Sequence, residues 1–335
     1  MKAAVIGLYT QITDNIYSIY VELPNSPLKN LNAYLIKGKD RNLLIDTGER
    51  RRRCRESLLS GLHELGVRME ETDIFLTHMH TDHVGLVPEI ATPETRVYMS
   101  GEDIRRQLDT YDPNMNKRTY IRQRKNGFSD EQIANSPFLR PEGYAAEGYK
   151  DYIPVEEGHV FEYGGHRLRT ILTPGHSPGH MCLYDDENRI VVIGDHVLFD
   201  ITPNISPILG VPDSLGDYIQ SLLKVRDLDV DIVLPGHRGV TCSMAERIDQ
   251  LIEHHGERVR EAVEALDRHP GSTAYQLAGN VSWNIRYDGI WENFPVGQQA
   301  FAVNEMRAHL EYLLTRGRAS REEVDGVEYY YPPER

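Results

Sequence analysis

The chain has 335 residues, 40% apolar and 26% charged, which describes an ordinary globular protein, long enough for one large domain and a smaller one, and excludes a disordered or low-complexity class. A formal net charge of −14 disfavours a dedicated nucleic-acid or membrane-surface protein, because such a surface repels phosphate and anionic lipid at long range. Three widely spaced cysteines, Cys54, Cys182 and Cys242, leave neither a disulfide framework nor a CxxC metal knuckle, and no apolar run is long enough to span a membrane.

The N-terminal segment soon turns polar and lacks the apolar core and cleavage pattern of a secretion signal, so it reads as a strand entering the fold of a cytoplasmic protein. From Ile16 to Asp46 short apolar bursts separated by Pro24, Pro27 and Gly38 predict consecutive antiparallel strands. Leu58, Leu59, Leu62 and Leu65, ahead of Gly66, predict a helix over 50–65 with a glycine stop. The run DIFLTHMHTDH then reads as a strand feeding a loop rich in histidine. Further strands are expected at RVYMS, HRLRTIL, CLYDD, IVVIGDH and DIVLPGH. Several end in a polar cluster, and ligands so far apart in sequence converge only if those strand ends share one edge of the fold.

Residues 101–150 form an insertion, helical in part, whose segment 105–125 carries seven Lys/Arg against two Asp, a local +5 in an acidic chain. After Gly239 the strand signals give way to a helix over roughly 243–268, another from STAYQLA, a longer one across QAFAVNEMRAHLEYLLTRG, and a hairpin turning at Asp325-Gly326. That order suggests a winged-helix-like tail, and the expected division is a catalytic domain over 1–242 and a tail domain over 243–335.

His78, His80, Asp82 and His83 crowd three imidazoles and a carboxylate into six residues, a density hard to explain as packing. Those are the donors that catalytic zinc, iron or manganese sites prefer. Three more segments, TPGH ending at His176, Gly194-Asp195 and LPGH ending at His237, each follow a strand and each offer one ligand, giving five histidines and two aspartates in all. Shared between two ions with one bridging carboxylate, that inventory leaves open coordination positions, which mark catalysis rather than structure.

The motifs HxHxDH, TPGHSxGH, GD and PGH, in this order across about residues 12–240, resemble those of the metallo-β-lactamase-fold hydrolases, with glyoxalase II-like members most similar in wording. The resemblance implies an α+β fold, an αββα sandwich, carrying a small winged-helix-like domain. It implies that His78, His80 and His176 bind one metal, that Asp82, His83 and His237 bind a second, and that Asp195 bridges them. Asp46 of LIDTG would be a buried support that orients a ligand histidine or holds its loop; an Asx-type turn before Gly48 is the other reading. His180 matches a position that is not a ligand in such proteins, and His196 reads as pocket wall. His63, His159, His166, His254, His255, His269 and His309 read as surface or core residues.

Two divalent ions, zinc by default with iron and manganese open, would lower the pKa of a bridging water from about 15.7 towards 7 and so provide a nucleophilic hydroxide. Asp82 is the candidate proton shuttle to the leaving group. A small anionic substrate is expected, most simply a thioester of CoA or glutathione type, its charges met by the 105–125 cations. A nuclease acting on RNA or DNA and a lactonase or small-ester hydrolase are the alternatives. The acidic tail disfavours nucleic acid, no membrane partner is expected, and a homodimer through the aromatic residues of the tail is left open, with core packing of those residues the plainer reading.

Overall fold

The computed structural model describes residues 8–24, 26–112, 114–135, 149–283 and 290–333. The first seven residues of the expected N-terminal strand, and residues 113 and 136–148 of the insertion, lie outside this range. Two compact units emerge among the described residues: one takes in 8–111, 149–203 and 221–248, the other 112, 114–135, 204–220 and 249–333.

The first unit contains two sheets. One has seven strands in sequential order: β1 (Tyr9–Gln11), β2 (Ile16–Glu22), β3 (Asn30–Ile36), β4 (Asn42–Ile45), β5 (Thr72–Phe75), β6 (Val97–Ser100) and β7 (Tyr152–Val155). β1 to β4 pair antiparallel, as the sequence predicts for Ile16–Asp46, and β4 to β7 pair parallel. The second sheet holds β8 (Val160–Tyr163), β9 (His166–Leu172), β10 (Met181–Asp185), β11 (Ile190–Gly194) and β12 (Ile232–Pro235), ordered β12-β11-β10-β9-β8.

Burial explains why these strands read as continuous apolar runs. All of β3 is buried, and its side chains alternate between two cores. Tyr34 and Ile36, with Leu43, Ile45 and Phe75, meet Phe161, Leu168, Leu183 and Val192 of the second sheet. Leu31, Ala33 and Leu35, with Ile19, Val21 and Leu44, point the other way onto α1 (Arg52–Glu64) through Cys54, Leu58 and Leu62. A strand covered on both faces has no reason to alternate apolar with polar residues. Each fully buried Leu or Ile contributes roughly 1.5–3 kcal/mol. Two one-turn helices, α2 (Thr81–Val84) and α3 (Val87–Ile90), follow β5, and α4 (Gly101–Asp109) follows β6. On the second sheet, the later part of α7 (Ser214–Arg226) is tied to strand ends by Ser221 Oγ donating to the Pro174 carbonyl (2.8 Å) and Lys224 Nζ to that of Leu172 (2.9 Å). The result is the α+β sandwich expected.

α1 departs from the sequence reading in its stripe: Cys54, not Leu59, completes it, and Leu59 is 41% exposed. β7 and β8 escape sequence reading. Each is an edge strand, and Pro154 within β7 is tolerated because an edge strand leaves one row of N–H groups unpaired.

In the second unit, α5 (Met115–Asn126) and α6 (Asp130–Asn135) pack with the tail: α8 (Met244–Arg268), α9 (Ala274–Ala278), α10 (Val296–Thr315) and the hairpin β13 (Ser320–Val324) and β14 (Val327–Tyr331). Gln132 Nε2 donates to the Tyr275 hydroxyl (3.0 Å) and Lys125 pairs with Glu323 (2.7 Å). The single boundary after residue 242 is therefore replaced by a discontinuous grouping, because contacts far apart in sequence draw part of the insertion to the tail. The hairpin turn is as expected, with Asp325 at φ 50° and Gly326 at φ 76°, the pair of positive values that matches strand twist. Trp291, Phe294 and Tyr330 are buried in this unit. The cations at 105–125 are largely paired as well: Arg105 and Arg106 with Glu102, Arg118 with Asp112, Arg124 with Asp130, and Lys125 with Glu323 and Glu328.

Candidate metal centre

Each segment bearing a candidate ligand leaves the end of a strand of the first unit. β5 runs into Thr77-His78, β9 into the loop with His176, β11 into Asp195, and β12 into Gly236-His237. Parallel pairing of β11 with β12, with Gly194 opposite Pro235, brings Asp195 beside His237, and Gly236 N–H donates to the Gly194 carbonyl (2.9 Å). Met181 N–H donates to the Thr77 carbonyl (2.9 Å) and so joins the histidine loop after β5 to the second sheet. Gly236 has to be glycine, since a Cβ there would stand 2.3 Å from Asp195 Oδ1.

All seven residues singled out by sequence come together. Their ligating atoms form three sets, each within 4.8 Å: His78, His80 and His176; His78, His83 and Asp195; and Asp82, His83 and His237. The neighbouring hydrogen bonds decide which ring nitrogens are free to bind. His83 Nδ1 donates to Asp46 Oδ2 (2.8 Å), and His237 Nδ1 donates to the Asn30 carbonyl (2.6 Å). Thr77 gives its hydroxyl proton to Asp46 (2.8 Å) and therefore accepts from His78 Nδ1 (3.1 Å). In all three rings Nδ1 is engaged by an acceptor and Nε2 is turned to the centre, the usual device for fixing a metal-binding tautomer.

His237 Nε2 lies 3.3 Å from Asp82 Oδ2 and 3.2 Å from Asp195 Oδ2, and His83 Nε2 lies 3.5 Å from Asp195 Oδ1. Neither Nε2 atom, nor Asp195 Oδ1, makes a hydrogen bond. Lone pairs facing lone pairs in a buried site repel one another unless positive charge stands among them. Titration tells the same story. Burial and neighbouring imidazoles push His78 well below the usual range and His80 to about 3. Burial also opposes charge on His83 and His237, but the carboxylates outweigh it, lifting His83 well above its usual value and His237 to about 10. Against their own desolvation, Asp82 falls to about 2 and Asp195 well below the ordinary range. Carboxylates this firmly ionised suit divalent cations, and the donor set fits them.

Asp46 takes the first of its two sequence readings, a buried support of the histidine loop, since its carboxylate bonds run to Thr77 and His83. Its carboxylate accepts from Thr77 N–H (2.8 Å), Thr77 Oγ1 and His83 Nδ1, and its own backbone sits at φ 60°. These three bonds hold a residue in the left-handed region that a non-glycine seldom adopts. His180 belongs to none of the ligand sets; its Nδ1 bonds the Thr173 hydroxyl (2.8 Å). His196 is buried. Cys182 lies within β10, its thiol pushed up to about 12 by burial.

Other supports carry no sequence signal. Asn32 Nδ2 donates to the carbonyls of Pro235 (3.0 Å) and Arg238 (2.8 Å), and the Tyr34 hydroxyl donates to that of Pro235 (2.7 Å), so β3 braces the His237 loop. Asp103, near the start of α4, reaches two ligand loops. Only its burial in the fold reveals it.

A two-sheet sandwich with a histidine and aspartate cluster at its strand ends defines a hydrolase class, and the comparisons agree. Residues 28–237 match the family model described as the metallo-beta-lactamase superfamily, and the chain belongs to that superfamily. The superfamily generally binds divalent metals, often zinc. The chain is 27% identical over 259 residues to lactamase-like protein adaB of Aspergillus niger, a match covering 77% of this chain and 66% of that one. It is 29% identical over 241 residues to the atrochrysone carboxyl ACP thioesterase of Aspergillus fumigatus, covering 71% and 60%. The chain thus spans slightly less than two thirds of these relatives. Among solved structures, a metallo-beta-lactamase family protein from Thermus thermophilus superposes with a TM-score of 0.78 at 27% identity, covering 96% of this chain and all of that one.

Proposed function

We propose that this hydrolase cleaves thioesters at a centre holding two divalent metal ions. His78, His80 and His176 would hold one ion, Asp82, His83 and His237 the other, with Asp195 between them. The convergence of these atoms, with Nε2 of His83 and His237 and Oδ1 of Asp195 buried without a hydrogen bond, is the observation that carries the metal reading. Ions bound there supply a Lewis acid for the carbonyl oxygen and bring a coordinated water's pKa to near neutrality. The chain's own residues do the rest: Asp46 and Thr77 keep the Nε2 atoms of His83 and His78 turned inward, and the Asn30 carbonyl does so for His237. Asp82, at the rim of the cluster and 14% exposed, is the carboxylate placed to take a proton from the attacking water and relay it to the departing thiolate. Zinc is the default ion, and a small anionic acyl thioester the substrate.

The thioester reading is supported by the Aspergillus fumigatus relative, an atrochrysone carboxyl ACP thioesterase. Pairing of most cations in 105–125 argues against an open polyanion-binding face there, which weakens the nuclease alternative. The test is turnover by zinc-, iron- and manganese-loaded protein of a pantetheine-type thioester, a glutathione thioester, a lactone and a phosphodiester. Thioester cleavage that outpaces the other classes and disappears with a chelator is expected; turnover of the phosphodiester alone overturns the reading.

A further inference from the structure

Asp103 is wholly buried near the start of α4, and its carboxylate ends on three donors from two separate loops. Oδ2 accepts from the Met79 backbone N–H (3.0 Å) and from Ser177 Oγ (2.6 Å), while Oδ1 accepts from the Gly179 backbone N–H (2.7 Å). Met79 lies between His78 and His80, and Ser177 follows His176. One carboxylate therefore ties together the two loops that carry the first ligand set.

The helix end fits tightly against the second loop. Ser100 caps α4 by accepting from Asp103 N–H (3.1 Å), and a Cβ at Gly179 would stand 2.0 Å from Ser100 Oγ and 2.8 Å from Asp103 N. Only glycine lets loop and helix approach so closely. Burial pushes the Asp103 carboxyl up to about 6, and the bonds from Ser177, Gly179 and Met79 hold it down.

We propose that Asp103 is a positioning residue that sets the distance between the His78/His80 pair and His176, so that the metal geometry exists before the metal arrives. This rests on the reading of those histidines as ligands. An amide at position 103 would turn one acceptor into a donor facing a backbone N–H, so asparagine cannot substitute. Supporting groups outside the ligand set characteristically govern metal affinity in this way.

The experiment compares wild type, Asp103→Asn and Ser177→Ala in three readouts. The first is metal per chain and zinc affinity under chelator competition; the second is the visible absorption band of the cobalt-loaded protein. The third is hydrogen exchange of the Met79 and Gly179 amides without metal. Asp103→Asn should weaken one of two zinc ions by about 10–100-fold and leave the other. It should also alter the cobalt band and speed exchange at both amides. Ser177→Ala, which removes one of the three bonds, should move affinity and cobalt band the same way by less, and it decides the matter if the asparagine variant does not fold. Wild-type zinc affinity and cobalt spectrum in both variants, with only a lower melting temperature, would overturn the proposal. A wild-type chain that binds no tight metal would instead sink the ligand reading, while the exchange data would still show whether the clamp orders the loops.

Discussion

Among the described residues, buried histidines meet in two regions, and one of the two has the makings of a metal site. In the first unit, Asp46, Asp82 and Asp195 lie among His78, His80, His83, His176 and His237. In the second, His255 Nδ1 sits 3.4 Å from His309 Nε2, and His309 Nδ1 donates to the Glu305 carbonyl (2.7 Å). Since His309 Nδ1 holds the proton, its Nε2 accepts from His255, and the pair is a neutral hydrogen-bonded unit. Burial drives His255 well below the usual range and His309 to about 4. The carboxylates diverge in the same way: Asp82 drops to about 2 among imidazoles, whereas burial lifts Glu305 to about 7. Burial alone neutralises a side chain. A centre for cations needs carboxylates among the rings, whose negative charge a bound cation balances in place of the ring protons.

The largest effect should come from removing that charge. Asp195→Ala, or His80→Ala in the partner set, should abolish stoichiometric metal and reduce turnover by more than the 10–100-fold that loss of a supporting group costs. His309→Gln should leave metal content unchanged. Elemental analysis beside a rate assay checks both; metal and activity surviving in either site variant would erase the contrast between the regions.

A smaller effect is expected at Asp46. Asp46→Asn keeps the shape but turns an amide N–H towards His83 Nδ1 or Thr77, loosening the tautomer control. Metal affinity should fall by about 10–100-fold, read by chelator competition, with melting temperature far less affected.

The mildest test concerns pH and the second unit. A carboxyl raised in the fold from 4.5 to about 7 contributes its stability below pH 4.5 and loses it as pH rises through 7. Glu305→Gln should therefore stabilise the protein at pH 8 by on the order of 2 kcal/mol and leave it nearly unchanged at pH 4.5. His309 works in the opposite sense: lowered from 6.5 to about 4, it costs stability as pH falls between those values. Denaturant titrations of wild type and variant at the two pH values check the sign. An equal gain at both would mean that Glu305 is not a buried titrating group.

Much of the candidate metal centre is legible in the sequence because side chains able to bind a metal are few in kind and cluster in spacing. His78 to His83 advertise themselves, and His176, Asp195 and His237 each follow an apolar run into a glycine turn. Strand signals in β2 to β6 and β9 to β12 are equally plain: β3, β4, β5, β10 and β11 are buried on both faces and read as apolar runs, while β2 and β9 alternate buried with less buried residues. Edge strands β7 and β8 are not plain, because half-exposed edges carry mixed residues and, in β7, a proline.

Local chemistry, then, is what the sequence determined by itself: which side chains can bind a cation, where strands run, where chains turn. Tertiary structure decided whatever depends on approach across long sequence separation. The support by Asp46 is already implied by its LIDTG segment, whereas Asn30 and Asn32 holding the loop of His237, Asp103 joining two candidate ligand loops, and the packing of 115–135 with the tail are all of this kind. Such residues have no motif because a carboxylate or amide acquires its role only from the donors that folding brings to it, and those donors are mostly backbone groups that every residue carries.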